Sequence, residues 1–70
     1  MESKRDKFKR IASKRVERIL NDLELLANCS NTYNYEYEEE EVKRIFKTLN
    51  ASLRACKSSF ESATRSKFNL

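Results

Sequence analysis

Apolar residues recur at Phe8, Ala12, Val16, Ile19, Leu23 and Leu26, stepping four, four, three, four and three. Ile11, Leu20 and Ala27 widen that stripe. The pattern returns at Val42, Phe46, Leu49, Leu53, Cys56, Phe60 and Ala63, stepping four, three, four, three, four and three, with Ile45 beside it. Both rhythms are those of bundle-type helices with one buried face. They predict a first helix over about 3–27 and a second over about 38–66, with an elbow over 28–37.

The elbow reads Asn-Cys-Ser-Asn-Thr-Tyr-Asn-Tyr-Glu-Tyr from Asn28 to Tyr37. Its Asn, Ser and Thr side chains compete with the helix for backbone hydrogen bonds. In a chain with no Gly or Pro, Asn28, Asn31 and Asn34 are the residues expected to enter the left-handed conformation that ends a helix. Tyr33, Tyr35 and Tyr37 alternate, so in an extended segment all three would point the same way.

The expected fold is therefore all-α: an antiparallel two-helix hairpin within a single domain spanning residues 1–70. Chains this short bury only about 60% of their unfolded surface. The apolar area of Phe8, Ile11, Ile19, Leu20, Ile45 and Phe46 exceeds what a lone helix pair covers. A homodimer closing into a four-helix bundle is expected, or else a short third helix near the C-terminus using Phe60, Phe68 and Leu70.

Charge adds polarity to this picture. Eight of the fifteen Lys and Arg residues lie between Lys4 and Arg18, and five of the eleven acids lie between Glu36 and Glu41. Acids at the start of helix 2 suit its dipole, whereas Lys4, Arg5, Lys7, Lys9 and Arg10 crowd the end of helix 1 where cations are disfavoured by about 0.3–1 kcal/mol each. Local stability does not ask for that arrangement. Folded back, with Lys57, Arg65 and Lys67 at the end of helix 2, each hairpin would be a rod, basic at one end and acidic at the other. Two such rods would be steered head to tail.

The basic residues carry the leading functional expectation. At 3.6 residues per turn, Lys7, Arg10, Lys14 and Arg18 form a row opposite the Ala12–Ile19–Leu23 stripe, with Lys4, Arg5 and Arg15 beside it. Such a row can track phosphates. The plain alternative is a solvated face that keeps a small protein dispersed. At the elbow, Tyr33, Tyr35 and Tyr37 with Glu38, Glu39, Glu40 and Glu41 offer an acidic, aromatic tip for a protein partner. The plain alternative there is that the tyrosines cover the helix ends while the acids serve the helix dipole.

Other chemistry is poorly provided for. Four consecutive helical acids point in four directions and do not converge on one ion, and the chain has no His and only two Cys. No metal or cofactor is expected. No nucleophile has a candidate base and no Gly-rich phosphate loop exists, so no enzyme is expected. In the hairpin Cys29 sits at the elbow and Cys56 on the apolar stripe as a small core residue, roughly 20 Å apart by helical rise. That is too far for a disulfide between them. The start MESKRDKFKR lacks an apolar segment and no 18-residue apolar run occurs, so a cytoplasmic location without membrane association is expected. The sequons at Asn28-Cys-Ser30 and Asn50-Ala-Ser52 then read as chance matches.

Several motifs carry a family resemblance over about four-fifths of the chain: Lys4-Arg-Asp-Lys-Phe8, Lys14-Arg-Val16, Asn28-Cys-Ser-Asn31, Asn34-Tyr-Glu-Tyr37, Glu39-Glu-Glu-Val42 and Ile45-Phe46. In these the chain resembles a group of short uncharacterised bacterial helical proteins, often from Firmicutes and mobile elements. The resemblance implies a mobile-element setting and no mechanism. Cys29 stands where such proteins often have Leu, and Glu38 where they often have a capping Thr, which weakens the start of helix 2. The hairpin is also similar in architecture to the plasmid Rop proteins, four-helix dimers that bind RNA.

The function expected from these features is that of a non-catalytic accessory or regulatory protein that binds DNA, RNA or a nucleoprotein through the basic face of helix 1. The alternatives are a protein-binding inhibitor of a host defence nuclease, anti-CRISPR-like, acting through the acidic elbow, and a structural interaction module.

Overall fold

The computed structural model describes residues 1–67, with side chains described as far as Arg65. It contains two helices, α1 (Lys4–Asn28) and α2 (Glu39–Lys67), and no strand among the described residues. The protein is all-α. The chain divides into two units, one from Met1 to Glu36 and the other from Tyr37 onward. A separate third helix does not occur among the described residues: Phe60 lies within α2, while Phe68 and Leu70 fall outside the described residues.

The first unit begins with a cap. Ser3 is extended at φ −73°, ψ 162°, and its hydroxyl oxygen accepts the Asp6 amide at 3.1 Å. The Ser3 carbonyl accepts from Lys7 at 2.9 Å. One orphan donor of the first turn is thereby satisfied. Asp6, in the same turn, supplies negative charge where the dipole favours it.

α1 ends without any left-handed residue. Cys29 closes it at φ −71°, ψ −8°, and no described residue has positive φ. The left-handed conformations expected at Asn28, Asn31 and Asn34 are therefore not used. The helix instead tightens into i→i+3 bonds: Cys29 donates to the Leu26 carbonyl at 2.9 Å, Ser30 to Ala27 at 3.0 Å and Asn31 to Asn28 at 3.3 Å. This is the 3₁₀-type ending open to any residue.

Asn31 then builds the turn. Its Oδ1 accepts the Tyr33 amide at 3.0 Å, an Asx-turn contact. Its carbonyl accepts from both Asn34 (3.2 Å) and Tyr35 (3.0 Å). Residues 32–34 form a turn, so the extended run expected to align all three tyrosines does not include Tyr33.

In the second unit α2 starts at Glu39, one residue after a Glu where a Thr cap would be favourable. Glu41 Oε1 accepts the Glu38 amide at 2.9 Å, and the Glu38 carbonyl accepts from Glu41 (3.1 Å) and Val42 (3.2 Å). This is the carboxylate half of a capping box, supplied by the third helical residue. Further along, Thr48 Oγ1 donates to the Arg44 carbonyl at 2.9 Å and Ser59 Oγ to the Ala55 carbonyl at 3.2 Å. These bonds to the preceding turn give the hydroxyls of an interior helix a partner.

No described side chain is buried. Only Ile11, Ala12, Leu26 and Val42 reach intermediate exposure. On α1, Val16 is 52% and Ile19 57% exposed; on α2, Phe46 is 49% and Leu53 69%. Cys56, expected as a small core residue, is likewise exposed. Within each unit the sequence has made an apolar stripe, and neither unit covers its own. Among the described residues, no helix is long and apolar enough to cross a membrane.

Candidate nucleic-acid interface

A helix that runs unbroken from Lys4 to Asn28 fixes the angular position of every basic residue on α1. By helical period, Lys7, Lys14 and Arg18 lie within about 40° of one another, with Arg10 at the edge of the group. The row from Lys7 to Arg18 covers about 16 Å of helix axis. Lys4 and Arg15 flank it on one side. Arg5, expected beside the row, falls about half a turn away, in line with the apolar stripe.

Arg10 is distinguished from the others by a partner. Its Nε lies 2.8 Å from Glu2 Oε2, and its terminal nitrogen Nη2 donates to Glu2 Oε1 at 2.9 Å. This two-point fork is the geometry guanidinium also uses on a phosphate. The hydrogen bond from Arg10 holds the Glu2 carboxyl below its usual value and raises that of Arg10. Among the described residues no ion pair engages Lys4, Lys7, Lys14, Arg15 or Arg18. The unpaired part of the row is thus Lys7, Lys14 and Arg18, and all three are exposed. Glu2 carried no sequence signal, because it lies outside the helix and eight positions from its partner.

The acidic, aromatic segment is divided between the two units. Tyr33 and Tyr35 belong with α1, while Tyr37 and Glu38–Glu41 belong with α2. Tyr33 is 91% exposed, Tyr35 51% and Tyr37 41%. Three of the acids have local work. Glu41 binds the Glu38 amide, and Glu39 and Glu40 each lie 3.8 Å from Lys43 Nζ. Among the described residues no group of His, Cys, Asp and Glu side chains is arranged to hold a metal ion.

Sequence reasoning placed Lys57 and Arg65 at the end of α2 but passed over Arg44, Lys47 and Arg54 earlier on its polar face. Beyond its acidic first turn this helix carries Lys43, Arg44, Lys47, Arg54, Lys57 and Arg65 against one acid, Glu61. The apolar heptad dominated the reading of this segment, and its cations are spread over more turns than those of α1. Their signal is the helical angle that Lys47, Arg54 and Arg65 share.

Cys29 and Cys56 are both free thiols. The Cys29 Sγ lies 3.8 Å from the Leu25 carbonyl and donates to it. Comparison with known proteins adds no relative: no protein-family model, curated protein or solved structure matches the chain.

Proposed function

We propose that this protein is a non-catalytic accessory factor that binds DNA or RNA through the basic face of α1. The observation that carries the reading is the line of Lys7, Lys14 and Arg18, exposed, engaged by no ion pair among the described residues, and on the far side of the helix from Ala12, Ile19 and Leu23. Phosphate neutralisation by such a line releases counterions, which makes binding strong at low salt and independent of sequence. The acids of α2 favour this reading over an acidic recognition tip, because Glu39 and Glu40 lie beside Lys43 of the same helix and Glu41 accepts the Glu38 amide just before it.

The two helices pair as an antiparallel hairpin in this proposal, and two hairpins close into a four-helix homodimer. The exposed stripes of both helices support it, since burying a Leu, Ile or Phe side chain contributes about 1.5–3 kcal/mol. The site of action is the cytoplasm.

The test is a salt titration of binding to mixed-sequence DNA and RNA, with a variant reversing Lys7, Arg10, Lys14 and Arg18 to Glu. Loss of binding by the variant is the expected result. Undiminished binding removes the row from the interface. A partner lost on neutralising Glu38–Glu41, and kept by the row variant, establishes the protein-binding alternative instead.

A further inference from the structure

We infer that α2 carries a second phosphate-binding line, formed by Arg44, Lys47, Arg54 and Arg65, and that the protein engages nucleic acid through both helices. The inference extends the nucleic-acid reading to a second helix and rests on that reading for the choice of partner alone. All four side chains are exposed. No ion pair among the described residues engages any of them.

Their alignment follows from the helical period. Lys47, Arg54 and Arg65 lie within about 20° of one another, and Arg44 about 60° to one side. The line runs for about 32 Å along the axis. Ala51 and Ser58 share it, and side chains that short let a phosphate backbone approach the helix between the cations.

The acids on the same face set its limits. Glu40 lies one turn before Arg44 and is within 3.8 Å of Lys43, so the usable surface begins after the first turn. Glu61 lies between Arg54 and Arg65 on the line itself and opposes a bound phosphate there. Even so, the basic excess of α2 beyond its first turn is larger than that of α1, where Asp6, Glu17, Asp22 and Glu24 dilute the cations.

A nucleic-acid backbone fits this line better than an anionic membrane surface. A helix lying at a membrane buries its apolar face in the acyl boundary. The four cations are on the far side from the stripe of Val42, Leu49 and Leu53, so that pose lifts them away from the headgroups by about the helix diameter of 10 Å. Phosphates approaching the polar face meet them directly.

The experiment is an anisotropy titration over salt with a labelled mixed-sequence DNA duplex of about 30 base pairs, roughly three helical turns. It compares the full chain, an α2 variant (Arg44, Lys47, Arg54 and Arg65 to Gln), and an α1 variant (Lys7, Lys14 and Arg18 to Gln). Each phosphate contact contributes about 0.9 to the slope of log affinity against log salt. The α2 variant is expected to lose about 3–4 of that slope, and Glu61→Gln to tighten binding. A charge-preserving variant (Arg44, Arg54 and Arg65 to Lys) is expected to keep the slope, which separates lost charge from lost fold, as does circular dichroism of the Gln variant.

An unchanged slope in the α2 variant with a reduced one in the α1 variant overturns this inference and leaves the α1 reading standing. The reverse pattern upholds α2 and removes α1. Absence of binding by the full chain to this duplex and to mixed-sequence RNA of the same length, or preferential binding to phosphatidylserine vesicles, overturns both.

Discussion

The ion pair between Glu2 and Arg10 should restrain nucleic-acid binding, and Glu2→Gln should release it. Arg10 spends both Nε and a terminal nitrogen on the carboxylate, at 2.8 and 2.9 Å, the same fork that a phosphate would need. Removing the carboxylate charge leaves Arg10 available and takes the number of unpaired cations in the row from three to four. At about 0.9 per phosphate, the salt slope steepens by about 0.9. Over a fourfold rise in salt, from about 50 to 200 mM, one such contact changes affinity by about 3.5-fold, so the variant binds more tightly at the low end and loses more on the way up. Arg10→Gln alone should weaken binding little, because that side chain is already occupied. The double variant should match Arg10→Gln, since the effect of Glu2 passes through Arg10.

The sign of the pH dependence follows from the pair. Arg10 depresses the Glu2 carboxyl below its ordinary 4.5, so the ion pair is fully present above that value and is lost only as pH falls through the lowered one. Between about pH 8 and 6 neither partner changes charge, and the wild-type slope should stay constant. Anisotropy titrations of the four proteins at two pH values measure all of this. An affinity for Glu2→Gln equal to or below wild type, with an unsteepened slope, refutes the competition between carboxylate and phosphate.

Three further outcomes follow from the helix ends and stripes. Ser3→Ala removes the acceptor of the Asp6 amide and should destabilise the start of α1 by about 1 kcal/mol, read as faster amide exchange in its first turn and not in α2. Glu41→Ala should fray the start of α2, lowering ellipticity at the helical band, while Glu41→Gln keeps an acceptor for the Glu38 amide and retains it. Equal loss by both would show that charge near the helix start matters more than the hydrogen bond. Leu53→Asp, on the stripe of α2, should shift a sedimenting homodimer to monomer at high micromolar concentration. A wild-type chain that is already monomeric there removes the four-helix assembly.

Helix existence was legible in the sequence because two apolar rhythms of four and three persist without Gly or Pro to interrupt them. The start of α1 was less so. Ser3 is a favourable cap by composition, but its value depends on an amide three residues on, and the crowd of cations drew attention away from it. How α1 ends was misjudged for a physical reason. Asn tolerates the left-handed region better than most residues, yet Asn31 used its side chain for the Tyr33 amide and let ordinary backbone angles make the turn. The α1 row was visible, and its division into paired and unpaired members was not, since Glu2 reaches Arg10 from outside the helix. On α2 the regularity of the apolar face hid Arg44, Lys47 and Arg54 on the opposite one, although Arg65 at the helix end was visible.

The connection between the helices is built from right-handed and extended backbone alone. No position in it imposes the steric filter that reserves a site for glycine, so the main chain there excludes only proline, which would remove the Tyr33 and Asn34 amides that donate to Asn31. Proline apart, selection on residues 32–34 then acts through what their side chains touch, and a library randomised to the non-proline residues at those three positions should retain helical content across most of its members. The segment is accordingly the natural place to graft a reporter or an affinity tag, or to lengthen the chain, without first redesigning a turn.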